Sequence, residues 1–177
     1  MHPFQHFCTI TRHRHMVMGY CFRVGLYRQG LCHDLSKYSP TEFWAGARYY
    51  MGNRSPNTAQ RESEGFSGAW MHHKGRNRHH FEYWTDLVKG KKGYQPVPMP
   101  YKYIVESVMD RIAASKVYKG ENYYSGCELD YMDYSMEAEL MHPETRETLR
   151  QILTMLRDKG EQETFTYLKK SLKKHTL

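Results

Sequence analysis

Between residues 9 and 28 the apolar side chains Ile10, Met16, Val17, Tyr20, Cys21, Val24 and Tyr27 recur mostly at spacings of three and four. That spacing predicts an amphipathic helix, with Gly30 as its terminator. Ser39-Pro40-Thr41-Glu42 combines an N-cap serine, a proline at the first helical position and a capping-box glutamate, so a second helix should run to about Met51. Ser55-Pro56 repeats the signal ahead of a helix reaching toward His73. Pro100 opens a long helical pattern closed by Gly120, Pro143 opens another closed by Gly160, and residues 161–172 form a last amphipathic stretch. Residues 89–99 and 120–141 read as irregular loops, the second rich in tyrosine and acid. Period-two alternation is scarce and no internal repeat is found, so the pattern predicts an all-α, single-domain helical bundle of five to seven helices spanning residues 1–177.

At 177 residues the chain can bury one sizeable core without a linker. Its formal charge of +7 favours anionic partners such as nucleotides or nucleic acid. Cys8, Cys21, Cys32 and Cys127 are scattered without a CxxC pair, which argues against a zinc ribbon and against a disulfide framework. The start of the chain lacks a signal-peptide pattern and no apolar run approaches 18 residues, so the expectation is a cytoplasmic protein without membrane spans.

Candidate chemistry lies on four separate segments: His13 and His15, the adjacent pair His33-Asp34, the cluster HHKGRNRHH at residues 72–80, and Asp110. Imidazole nitrogen with carboxylate oxygen suits a divalent ion engaged in hydrolysis. Adjacent residues on a helix project about 100° apart, so His33 and Asp34 can address one ion if the chain runs past it, with Lys37 one turn on. In the cluster, His72 and His79, or His73 and His80, stand seven apart and share a face if the segment is helical; a turn at Gly75 or Asn77 also brings the two pairs together.

Asp110 falls about 150° from the centre of the apolar stripe of its own helix. Its arc nevertheless holds Glu106, Ser107, Ala113 and Ala114 and excludes Lys102, Arg111, Lys116 and Lys119. A helix buried on two sides explains that distribution. His13 and His15 lie about 200° apart and cannot both face one site. His15, which precedes Met16-Val17, is the preferred ligand, with His13 the alternative between two arginines.

The order His, His-Asp, His cluster, Asp on helices resembles the HD-domain superfamily of metal-dependent phosphohydrolases. The matching positions are His15 (or His13), His33-Asp34 and Asp110, with Lys37 in the place of a lysine that often follows the pair. The resemblance implies an HD-like fold and one or two divalent ions (Mn, Fe, Zn, Ni, Co or Mg). His73 and His80 are the preferred further ligands of a second ion, and His72 and His79 the alternatives. It also implies hydrolysis of a nucleotide or other small phosphate ester, with Asp34 and Lys37 catalytic and with Lys37, Lys74, Arg76 and Arg78 meeting phosphate. The blocks HDLSKYSP and HHKGRNRHH further resemble an uncharacterised bacterial and phage family sharing them over nearly the whole chain.

A non-catalytic nucleic-acid-binding module is the competing class, built on the basic cluster and its neighbours Phe81, Tyr83 and Trp84. It explains residues 72–84 and leaves His33-Asp34 and Asp110 without a role.

Overall fold

The computed structural model describes residues 1–135 and 137–175. Among them the chain forms eight α-helices and one two-stranded hairpin, an all-α architecture. The long α1 (Pro3–Val24) begins with a proline in its first turn and ends at Gly25, whose φ of 93° only glycine adopts without strain. The predicted terminator, Gly30, instead lies inside the short α2 (Tyr27–Cys32). A Cβ there would meet Cys21 Cβ at 3.0 Å, so its smallness serves close packing of α2 on α1.

A single 3-10 turn, Leu35–Tyr38, leads to α3 (Pro40–Arg48), where Ser39 Oγ accepts the Glu42 backbone N–H as the capping signal predicts. The next expected helix is divided by Gly65 (φ 81°) into α4 (Pro56–Glu64) and α5 (Gly68–Lys74). The two expected loops both contain regular structure. Strands β1 (Thr85–Leu87) and β2 (Tyr94–Pro96) pair antiparallel, with Asp86 opposite Gln95. Helix α7 (Cys127–Tyr134) forms in the tyrosine-rich stretch because Cys127, Leu129 and Met132 turn inward together.

The core is organised around α6 (Tyr101–Lys119), in which Val105, Val108, Met109, Ile112 and Ala113 have no solvent exposure. Val17, Cys21 and Val24 of α1 pack on one side of it. Leu149, Ile152, Leu153 and Leu156 of α8 (Pro143–His175) join the same core, and α8 is interrupted at Gly160 (φ 73°, ψ 177°). Full burial of each such aliphatic side chain favours folding by about 1.5–3 kcal/mol. The rigid α1–α6 pair is what positions the polar centre described below. No described helix is long and apolar enough to cross a membrane.

Candidate metal centre

His13 reaches the centre from the core face of α1, His33 and Asp34 from the turn after α2, and Asp110 from α6. The turn needs an unusual backbone. Asp34 has φ 54° and ψ 24°, the one non-glycine residue with positive φ among those described. Such strain persists where surrounding contacts over-determine it. Arg14 supplies two of them, donating from Nε to His33 O at 3.0 Å and from Nη2 to Leu31 O at 2.5 Å.

The four donors converge closely. His13 Nε2 stands 2.9 Å from Asp110 Oδ1 and 3.7 Å from Asp34 Oδ2, and His33 Nε2 is 3.4 Å from both of those oxygens. Ligand atoms about 2.1 Å from a common ion lie roughly 3–3.5 Å from one another. The spacing therefore matches a coordination shell.

A second group forms on the opposite side of Asp34. Its Oδ1 is 3.3 Å from His73 Nε2 and 3.5 Å from His79 Nε2, and His73 Nε2 lies 2.9 Å from His80 Nε2. These histidines meet because α5 stops at Lys74 and the chain turns through residues 75–80. Asn77 Nδ2 pins that turn by donating to Ser36 Oγ at 2.8 Å and to His73 O at 2.9 Å.

Two buried glutamates face the far sides of these rings. Glu106 Oε1 is 3.0 Å from His33 Nδ1 and 3.2 Å from His79 Nδ1. Glu42 takes His73 Nδ1 on Oε2 at 2.7 Å and His72 Nδ1 on Oε1 at 2.6 Å. A carboxylate on Nδ1 fixes the tautomer that leaves the Nε2 lone pair facing inward and raises the basicity of the ring.

The inward atoms are poorly satisfied. His33 Nε2, His79 Nε2 and Asp34 Oδ1 are buried without a hydrogen-bond partner, His13 Nε2 has only the Asp110 carboxylate beside it, and Asp34 Oδ2 only the Lys37 ammonium. Unpaired buried polar atoms cost about 1–3 kcal/mol each, so the three unpaired ones call for a ligand to compensate them. A divalent cation fits, because every one of these atoms can donate an electron pair. The donor groups can hold a metal ion, and nitrogen with oxygen but no sulfur is their chemistry.

Electrostatics follow the same arrangement. Burial would raise the Asp34 carboxyl, but His33, Lys37 and His73 outweigh it and hold the group well below the usual carboxylate range. Asp110 is held low likewise by His13 and His33 against its burial. For His33 burial is outweighed by Asp34, Asp110 and Glu106, and its pKa is pushed up to about 10, so without a cation the ring carries a second proton that a metal ion would have to displace. Burial, aided by the Lys37 charge, lowers His13, and burial with His79 and His73 nearby drives His80 far down. Lys37 Nζ sits 2.6 Å from Asp34 Oδ2.

The expected residues are thus brought together with one exchange and several additions. His13 occupies the position preferred for His15; the latter is exposed, because two residues on α1 turn it to the opposite face. His79 joins His73 and His80, whereas His72 is one bond removed, behind Glu42. Lys74, Arg76 and Arg78 are not joined to the donors by any hydrogen bond or ion pair among the described residues. Arg76 donates to His72 O, and the Arg78 guanidinium lies 5.6 Å from the Tyr83 ring centroid. Glu42 and Glu106 were not singled out by sequence, although Glu106 shares the cation-free arc of Asp110 and Glu42 is the capping-box acid.

All of these residues fall within residues 2–155, the stretch matched by a family model described as "Family of unknown function (DUF5662)". No curated protein and no solved structure matches the chain.

Proposed function

The chain belongs to the DUF5662 family, and we propose that it is a metal-dependent phosphohydrolase of the HD-domain type with two divalent ions side by side. The observation that carries this reading is the division of Asp34. Its Oδ2 faces His13 and His33, and its Oδ1 faces His73 and His79. One carboxylate addressing two donor groups is the arrangement a two-metal site requires.

Bound there, divalent ions lower the pKa of water toward neutrality and offset the charge of a phosphoryl group. The chain's own part is to fix the ligands and supply cationic character beside them. Asp34 spans both groups, and Glu106 and Glu42 hold the rings of His33, His79 and His73 in place. Lys37 uses one of its three N–H donors on Asp34, and the remaining two are available to a phosphate oxygen. Histidine-rich N/O ligation favours manganese, iron, zinc, cobalt or nickel over magnesium.

Elemental analysis of the purified chain, with Asp34→Ala and His73→Ala/His80→Ala beside it, tests the reading when combined with a phosphate-ester panel. About two ions in the parent, lost from Asp34→Ala, with chelator-sensitive hydrolysis, supports it. A metal-free parent that stays so after reconstitution, and that binds DNA or RNA in a salt-sensitive way, overturns it in favour of a nucleic-acid-binding protein.

A further inference from the structure

Against Lys37 and His73, on the side away from the metal ligands' inward atoms, lies a partly open cavity of about 50 Å³ whose walls also include His6, Thr9, Glu42, Tyr50 and Tyr118. By this measure one buried water takes about 10–15 Å³, so the space holds only a handful of small atoms. Pockets that enclose larger organic ligands run to several hundred Å³. A nucleoside does not fit within it, whereas a short alcohol does.

The walls are built for a polar occupant. His6, 6 % exposed, has a buried Nδ1 with no hydrogen-bond partner. Its ring enters only because α3 carries glycine opposite it: a Cβ at Gly46 would lie 2.2 Å from His6 Nε2. Burial, with the Lys37 charge, lowers the His6 pKa to about 4, so the imidazole is neutral at physiological pH and can donate or accept. Thr9 Oγ1 donates to Gln5 O at 2.9 Å and accepts from Tyr50 OH at 2.8 Å, which leaves it one lone pair for an incoming hydroxyl, and Glu42 is already engaged by His72 and His73. Lys37 links this chamber to the metal centre through Asp34.

We infer, on the basis of the phosphohydrolase reading, that the substrate is a phosphomonoester of a small polyhydric alcohol of roughly two or three carbons, whose alcohol part occupies this chamber against His6, Thr9 and Tyr50. In the reaction a water oxygen bonds to phosphorus as the bond from phosphorus to the alcohol oxygen breaks. The departing oxygen takes up a proton given by the water, so the products are the alcohol and inorganic phosphate. His6 and Thr9 set specificity and leave the reacting atoms alone.

The test uses the full metal-loaded chain and two readouts. Calorimetry measures binding of 3-hydroxypropylphosphonate, a non-hydrolysable small analogue, against inorganic phosphate and adenosine monophosphate. Hydrolysis is compared for glycerol 3-phosphate and nucleoside monophosphates. The expected result is preference for the three-carbon compounds. His6→Phe and Thr9→Val should weaken the hydroxypropyl analogue about tenfold or more and raise KM for glycerol phosphate, with metal content and inorganic phosphate affinity unchanged. Equal or better use of nucleotides, or variants that weaken phosphate and analogue alike, would overturn the inference and leave the phosphohydrolase reading standing. No binding and no hydrolysis of any ester by a chain holding two ions would overturn both.

Discussion

His13 Nε2 and Asp110 Oδ1 approach to 2.9 Å across the packed pair α1 and α6, almost a hundred residues apart in the chain. Neither belongs to the His-Asp turn, yet both meet Asp34 there, so α1, α6 and the turn act as one rigid holder. His13→Ala should therefore remove one ion per chain and retain the other, which His73, His79 and His80 continue to hold. His15→Ala, on the exposed face, should retain both ions and change stability by less than about 0.5 kcal/mol. Metal analysis of the two variants checks the assignment; loss of metal from His15→Ala would reverse it.

Glu106 and Glu42 give a second prediction. Each touches only the outward Nδ1 atoms of the histidine rings it orients. Glu106→Gln and Glu42→Gln should weaken metal affinity by about 10–100-fold without removing any ligand. The effect should differ by group, because Glu42 supports His73 alone among the inward rings, whereas Glu106 supports His33 on one side and His79 on the other. Competition with a graded series of chelators measures both steps.

The long, periodic or proline-opened helices were legible in the sequence, and so was the meeting of His33-Asp34, the histidine cluster and Asp110. Each rests on a local rule: apolar spacing in α6, a capping box at Ser39, a cation-free arc around Asp110. The choice between His13 and His15 was not legible. Met16-Val17 beside His15 suggested burial, but Val17 is four residues from His13 and shares its face, with both buried. Helix α7 and the hairpin escaped because their inward residues are few and separated by tyrosines and acids, so tertiary packing rather than local pattern forms them. Glu42 carried two signals at once. Its backbone serves the cap of α3 while its carboxylate serves the centre, and only the second role depends on α5 folding over it.

Removing metal should expose the cost of the centre. Without a cation the buried Asp34 Oδ1 and the Nε2 atoms of His33 and His79 lose their compensation. Chelation should lower Tm, and restoring a metal at 100 times its dissociation constant should recover about 2.7 kcal/mol per site. Scanning calorimetry across a metal titration tests this; a Tm that ignores both chelator and metal would contradict a metal role for these atoms.

Glu128, far from that centre in character, gives a prediction of opposite sign to most acids. It lies on α7 with both carboxylate oxygens buried and without hydrogen-bond partners, and burial raises its pKa to about 7. The folded protein therefore holds this proton more tightly than the unfolded chain does. Its stabilising contribution is fully present below the ordinary glutamate value of about 4.5 and is lost as pH rises through about 7. Glu128→Gln, which keeps the shape and cannot ionise, should match the parent near pH 4.5 and exceed it above pH 7. After allowance for solvent screening the gap should be about 1–2 kcal/mol, or roughly 2–8 °C in Tm. Parallel melts of the two proteins, both metal-free so that ligand protonation cancels in the difference, decide it. A gap that is constant with pH, or that widens toward acid, would mean that Glu128 remains ionised in the fold.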